Sequence, residues 1–385
     1  MKTALKNMDY LLLFATLIIA LFGLVMIFSA SSITSVLLYN KPEYYFFRKE
    51  LLVFAGAVIV FIITTLLPLE TYRHFKIYLL LMIGAIGVLI ALKSYGSITN
   101  SAQSWFRIPG IGFQVQPSEF AKSITILYLA TAYGRKKKFI GKMDPFIPLI
   151  PCIVIFFLIA IEPDYGTAFI YTMIVASVFF SIPFGKNNWI SIAKGLFIVG
   201  IVGAILFMYN ASSLLSDNQR SRFQFERPCD RYKEESGYQV CNGYIAMNNG
   251  GLFGVGLGKS TQKYLYLPAA HTDFIFPIIV EEWGLAGGAF VILLYMFILY
   301  RILAIAKHAA NLQGSMIAFG TFALLIIHIF INLGGVLAII PLTGVPLPFL
   351  SYGGSIGLNL GILIGLTERV AIESKITKKK ELAKA

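Results

Sequence analysis

Long apolar runs separated by short polar breaks fill most of the chain. A helix needs about 20 apolar residues to cross a bilayer core of about 30 Å. Ten runs approach that length: 10–29, 51–68, 77–92, 118–133, 147–161, 167–183, 195–209, 283–302, 317–340 and 351–367. The pattern predicts an all-α integral membrane protein with about ten transmembrane helices. One long polar interval interrupts it, 210–276, between spans seven and eight. This interval is rich in glycine, and it is predicted to lie over the helix ends rather than fold as a separate domain. The whole chain, 1–385, therefore reads as a single membrane domain. The first run is too long for a signal-peptide core and is read as a retained span.

Composition agrees. The chain is 57% hydrophobic and 13% charged, against about 25% charged in soluble domains. A formal net charge of +13 would suit nucleic acid, but the positive residues sort by membrane side instead. With ten spans both termini share a side, and 19 of the 32 Lys and Arg residues fall on it. The positive-inside rule makes that side cytoplasmic and the 210–276 loop extracytoplasmic. The RKKK run at 135–138 and the KKK run at 378–380 then read as anchors beside anionic lipid. Three cysteines cannot make a disulfide scaffold, and no spacing suggests zinc. Cys229 and Cys241 lie in the outer loop, where they are either joined or free thiols.

The polar residues that interrupt this pattern are the candidates for chemistry. GVGLGKST (254–261) resembles a phosphate loop, but its first glycine is one residue out of place, at Phe253. Glu119 and Lys122 open the fourth span at i, i+3, sharing a helix face where they can pair. They make either a structural ion pair or a cavity wall for a charged headgroup. Glu162 to Thr167 reads as a tight turn with Thr167 as a cap. Pro341 to Ser355 sets three prolines and three glycines between the last two spans. Irregular backbone at that depth must be buried in protein or line a cavity, which favours a site wall. Asp273 stands where the long loop meets span eight, with Glu281 and Glu282 further in. It is either the N-cap of a helix starting near Phe274 or a functional carboxylate. His271 beside it is either a headgroup contact or an interfacial residue.

In combination and order these segments resemble the SEDS family, the polytopic bacterial cell-wall proteins that include FtsW, RodA and SpoVE. The matching residues are QPSEFAK (116–122), EPDYGT (162–167), SRF (221–223), GYQ (237–239), GLGKSTQK (256–263), LPAAHTDFIF (267–276), EEWG (281–284) and TGVPLPFLSYGGS (343–355). GLGKSTQKYLYLP looks more like the division branch than the elongation branch. Ala269 stands where the family usually carries Glu, SAQSW (101–105) departs from a common Arg-Trp pattern, and Trp283 and Ile356 replace commoner Leu and Ser.

The resemblance implies a peptidoglycan glycosyltransferase that polymerises lipid II at the outer face of the bacterial cytoplasmic membrane. It implies a class B penicillin-binding protein and other divisome proteins as partners, within membrane lipid and without nucleic acid. Asp273 matches the family's proposed catalytic Asp. The chemistry asks for one base, because diphosphate leaves without protonation while the attacking hydroxyl must lose its proton. Partial burial would make the carboxylate more basic. Lys122, Arg222 and Lys263 are the candidate cations for the diphosphate, with Glu119, His271, Thr272 and Ser355 as further substrate contacts. No resident cofactor is expected. A divalent cation, magnesium or manganese, suits the leaving group, but the sequence shows no metal-ligand cluster. The competing readings are a lipid II flippase, which would bind its cargo near the midplane, and a non-catalytic scaffold for the partner.

Overall fold

The computed structural model describes residues 2–99, 102–107, 114–134, 145–162, 164–182, 195 and 226–383. A short α1 (Lys2–Asn7) leads into α2 (Tyr10–Leu37), α3 (Tyr45–Leu66) and α4 (Phe75–Tyr95). A small sheet follows, β1 (Ser97–Thr99), β2 (Ala102–Arg107) and β3 (Gln114–Val115), all antiparallel in the order β1-β2-β3. Then come α5 (Pro117–Gly134), α6 (Ile150–Ile161), α7 (Tyr165–Phe180), α8 (Glu235–Gly250), α9 (Ile275–Lys307), α10 (Leu312–Val336) and α11 (Gly354–Leu382).

Among the described residues six helices, α2, α3, α4, α9, α10 and α11, are long and apolar enough to cross a membrane, and α6 and α7 are shorter apolar helices. The protein is a multi-pass membrane protein. Helices occupy nine of the ten predicted runs; the run at 195–209 falls outside the described residues but for Gly195. Hydropathy finds the apolar middle of a span better than its ends, so α2 runs past residue 29 to Leu37 and α9 starts before 283, at Ile275.

Close packing comes from small residues, as expected where lipid offers no hydrophobic drive between helices. Gly357, Gly361 and Gly365 make a stripe along α11. A Cβ on Gly361 would stand 2.6 Å from the Ala57 carbonyl, and one on Gly365 would stand 2.7 Å from that of Phe61. That contact sets α3 directly against α11. At the end of the bundle that carries the termini, Asp9 caps α2 by accepting from the Leu12 amide (3.1 Å) and pairs with Arg301. The Asp9 amide donates to Glu368 at 2.9 Å. One buried cluster thus ties α2, α9 and α11.

The structure adds two features to the expected pattern. The chain is not wholly helical, since the sheet closes the opposite end of the bundle between α4 and α5. Part of the 210–276 interval is helical. It contains α8, whose middle is joined to the preceding 3-10 turn by the Cys229–Cys241 disulfide and which packs against α9.

The stretch after α8 reshapes α9. That helix breaks at Gly284 (φ 73°, ψ −176°). The Glu281 and Glu282 carbonyls accept from Val255 (2.9 Å) and Gly256 (3.0 Å), while the Leu285 and Ala286 amides donate to Gly251 (2.9 Å) and Leu252 (3.1 Å). A strand of loop thus splints the broken helix. Gly254 and Gly284 abut backbone to backbone, with no space for a Cβ on either, and both have positive φ.

Candidate active site

The loops at the sheet end converge on Asp273. The turn carrying it is built by Ala269, a non-glycine residue at φ 55°. Its carbonyl accepts from the Thr272 amide and hydroxyl, both at 3.0 Å, and from the Phe274 amide at 3.3 Å. The family's usual Glu is absent here, yet the backbone of this position still shapes the turn. Thr272 Oγ1 also reaches Asp273 Oδ1 at 2.9 Å. Asp273 is half-buried, and it is not the helix cap. Phe274 occupies the N-cap of α9, without a capping side chain.

A buried amide fixes this turn. Asn332 on α10 donates through Nδ2 to the Asp273 carbonyl (2.8 Å) and to the Val345 carbonyl (2.7 Å). It ties the Asp273 turn to the Pro341–Ser355 segment. Gly344 in that segment has φ 71°, and a Cβ there would stand 3.9 Å from Asp273 Oδ2. The segment dips into the bundle. The Phe349 backbone lies against Gly23 midway along α2, Tyr295 donates to the Pro348 carbonyl, and Ser351 accepts from the Leu347 amide at 2.8 Å. Its irregular backbone is enclosed by protein, as such depth demands.

One helical turn from Asn332, His328 meets the expected ion pair. Lys122 Nζ lies 2.6 Å from Glu119 Oε1 and 3.1 Å from His328 Nε2, all buried. Glu119 Oε2 has no protein partner among the described residues. Nearby, Ser355 Oγ accepts from the Gln116 amide (2.8 Å), and Gln116 Nε2 donates to Asp164 (3.0 Å). Asp164, not Thr167, is the cap of α7: its Oδ1 accepts from the Thr167 amide at 3.1 Å. Gly166 abuts Thr343. Four segments distant in sequence thus meet around the Asp273 loop.

His271 is wedged against Phe46 (4.7 Å) and Tyr352 (5.8 Å), and its carbonyl accepts from the Tyr352 amide at 2.9 Å. Burial pushes its imidazole down to about 4, so it is neutral near pH 7 and offers no positive charge. Glu162, in the turn before α7, is pushed up to about 8, mainly by burial.

Lys263 does not join this group. Its ammonium is enclosed by Glu282 (3.1 Å), Ser29 (3.2 Å) and the Gly258 carbonyl (2.6 Å). Glu281 gathers the same loop by accepting from Ser260, Thr261 and the Gln262 amide. The segment resembling a phosphate loop thus wraps two carboxylates. Arg222 and the RKKK run lie outside the described residues. Among the described residues no three His, Cys, Asp or Glu side chains converge to hold a metal. Sequence reasoning missed Asn332 and His328, although two polar residues at i, i+4 in an apolar span were a usable signal.

The model of the FtsW, RodA and SpoVE proteins, described as "Cell cycle protein", matches residues 9–376. The chain belongs to the FtsW/RodA/SpoVE family. Among its relatives, a probable peptidoglycan glycosyltransferase FtsW of Bacillus subtilis is 38% identical, over 100% of this chain and 96% of that one. Stage V sporulation protein E of the same organism is 35% identical, over 92% and 94%. Two solved structures share the FtsW/RodA/SpoVE fold. One, described as "Structural coordination of polymerization and crosslinking by a peptidoglycan synthase complex", has a TM-score of 0.74 at 23% identity, covering 95% of this chain and 98% of that one. The other, Thermus thermophilus RodA, has a TM-score of 0.65 at 24% identity, covering 94% and 96%.

Proposed function

We propose that the chain is a peptidoglycan glycosyltransferase that polymerises lipid II into β-1,4 glycan strands, with Asp273 as general base. The observation that carries the reading is the placement of Asp273. It is a half-buried carboxylate on a turn clamped by Asn332, facing Gly344, at the end of the bundle where the family motifs meet. The relatives named as glycosyltransferases support the activity, and those named FtsW support a role in cell division.

The reaction is an inverting displacement. The 4-hydroxyl of an acceptor sugar attacks the donor's anomeric carbon, and the carbon–oxygen bond to the diphosphate breaks. The acceptor proton passes to Asp273 as attack develops. Diphosphate departs as an anion, so no second carboxylate has to protonate it. Lys122 is the cation we assign to that side of the site, because it meets His328 one helical turn from the Asn332 that holds the Asp273 turn, whereas Lys263 sits in the separate Glu282 cluster. Glu119 and His328 hold Lys122 in place. Thr272 orients Asp273, Ser355 braces Gln116, and neutral His271 packs the turn.

The distribution of positive charge supports a ten-span topology with cytoplasmic termini. Asp273 then faces the extracytoplasmic side, where a class B penicillin-binding protein could crosslink the product. The likeness to a chain of a peptidoglycan synthase complex that coordinates polymerisation with crosslinking supports that partner.

The test is polymerisation of purified lipid II by the full chain, with and without a class B transpeptidase, beside Asp273→Ala and Asp273→Asn. Glycan from wild type and none from either variant, at equal folding, is the expected result. Equal polymer from all three would refute the base. Transfer of lipid II across vesicles without polymer would favour the flippase reading.

A further inference from the structure

One buried acid at the sheet end of the bundle has no part in the chemistry assigned above. Glu50 stands in the second turn of α3, just before an apolar run from Leu51 to Ile63, and is 8% exposed. A carboxylate there costs free energy, and an apolar residue would pack in its place more cheaply. Its face of the helix shows what it reaches. Phe46, Glu50, Val53 and Ala57 recur at i, i+4, i+7 and i+11, so they share one face. That face meets the glycine stripe of α11. A Cβ on Gly357 would stand 2.9 Å from Val53 Cγ1 and 3.7 Å from Glu50 Oε1, and one on Gly361 would stand 2.6 Å from the Ala57 carbonyl. Contacts this close resist sliding of α3 along α11, so they fix the height at which Glu50 stands.

The carboxylate lands on the segment just before α11. The backbone there is extended, with Gly353 at φ −178° and ψ 95°. Its consecutive amides find different partners. The Tyr352 amide donates to the His271 carbonyl at 2.9 Å, and the Gly353 amide donates to Glu50 Oε2 at 3.3 Å. Phe46, one turn before Glu50, packs the same junction. Its ring centre lies 4.7 Å from that of His271 and 5.1 Å from that of Tyr352. Helix α3 therefore holds the Tyr352–Gly353 backbone by a hydrogen bond and the His271 ring by contact, two residues before Asp273. Asn332 holds the same turn from α10, through the Asp273 carbonyl.

We propose that Glu50 is a positioning residue for Asp273, acting through the Gly353 amide with Tyr352 and His271 as the links. The inference rests on Asp273 as the base proposed above and adds a second hold on its turn. Glu50 sets where Gly353 and Tyr352 stand, and Tyr352 sets the His271 carbonyl. A charged acceptor makes a stronger hydrogen bond than a neutral one, which gives a carboxylate a use in this apolar wall. The arrangement gives up some stability for geometry, as functional sites often do.

The test compares Glu50→Gln and Glu50→Leu in the full chain. Thermal unfolding is measured beside kcat and KM for lipid II polymerisation, and beside amide hydrogen exchange of peptides covering 267–274 and 350–355. Glu50→Gln keeps an acceptor for Gly353 and should retain most of kcat. Glu50→Leu should be at least as stable as wild type, yet lose kcat by more than about tenfold at little-changed KM, with faster exchange in both peptides. A residue that only stabilised the fold would lose stability and activity together. Wild-type kcat in Glu50→Leu overturns the proposal. So does a loss of kcat with exchange unchanged, or an equal loss in Glu50→Gln. If Glu50→Leu fails to fold, the unbranched Glu50→Met is read by the same criteria. If neither folds while Glu50→Gln does, Glu50 only stabilises the fold and the proposal is overturned. If wild type makes no glycan, the polymerase reading falls, and the exchange comparison alone decides whether Glu50 holds the Asp273 turn.

Discussion

Asn332→Leu is the substitution that most directly tests how the site is held. The two side chains are close in size, so the change removes hydrogen bonds without opening a large cavity. It strips the donors from the Asp273 and Val345 carbonyls, now at 2.8 and 2.7 Å. Asn332 is 3% exposed, so water cannot readily replace it. A buried carbonyl left unpaired costs about 1–3 kcal/mol, which gives about 2–6 kcal/mol for the pair. Part of that cost is avoidable if the Asp273 turn moves. Such movement would misplace the base, and a displacement of about 1 Å can cost about 100-fold in rate. The assay pairs thermal unfolding in detergent with initial rates of lipid II polymerisation, separating kcat from KM. Asn332→Leu should unfold earlier, and its folded fraction should lose kcat by more than about tenfold with little change in KM. An unchanged unfolding temperature together with full kcat would refute the clamp. Lower stability with full kcat per folded molecule would leave Asn332 a stabilising residue only.

Further predictions concern other supports of the site. Lys263→Met should destabilise the fold by about 3–5 kcal/mol by leaving Glu282 buried and unpaired, and adding Glu282→Leu should recover much of it. If the stable double variant folds but loses polymerisation while wild type is active, Lys263 has a role beyond that pair. Reducing the Cys229–Cys241 disulfide should remove about 3 kcal/mol of local stability and expose the start of α8 to proteolysis; an unchanged cleavage pattern would count against it. Gly344→Ala places a side chain at φ 71°, at a cost of about 1–2 kcal/mol, with its methyl next to the Asp273 carboxylate. It should lower kcat, and full activity would show that the Gly344 face of Asp273 is not the reacting side.

Acid–base behaviour supplies one more test. Glu162 titrates near 8 in the fold against 4.5 as a free side chain, so the folded protein holds the extra proton between those values. Stability from this group is full below about pH 4.5 and declines as pH rises through about 8. Glu162→Gln should therefore stabilise the protein relative to wild type at pH 8.5 but not at pH 5. A constant difference between the two would refute the assignment.

The spans were legible because a hydrocarbon solvent imposes one rule on every crossing segment, and the Glu119–Lys122 pair because helical spacing alone brings the two together. Asp273 was legible as a costly residue at a boundary, but its partners were not. Asn332 lies 59 positions away, and only tertiary packing joins them. α8 escaped because GYQVCNGYIAMNNG has no clean apolar stripe and sets few strong helix formers among three glycines and three asparagines; its order comes from the disulfide and from α9. Lys263 was legible as a cation, but its pairing with Glu282 was not, because a sequence does not show which carboxylate folds against it. The break in α9 escaped for a related reason. EEWGLAGG is compatible with continued helix, and the break depends on a loop arriving from elsewhere to take the freed carbonyls.

That splint has a consequence for how the protein is made. An α9 broken at Gly284 would leave four backbone groups unpaired in the membrane, each costing several kcal/mol. Their partners, Gly251, Leu252, Val255 and Gly256, precede α9 in the chain. During synthesis the splinting segment has therefore emerged before the helix that needs it. Vectorial insertion can offer α9 its partners as it enters the bilayer, and the broken form need never face lipid bare. A circular permutant that placed 250–263 after α9 would reverse that order. Its α9 would first meet the membrane as an intact helix and would have to open later, so an identical set of native contacts could be slow to assemble.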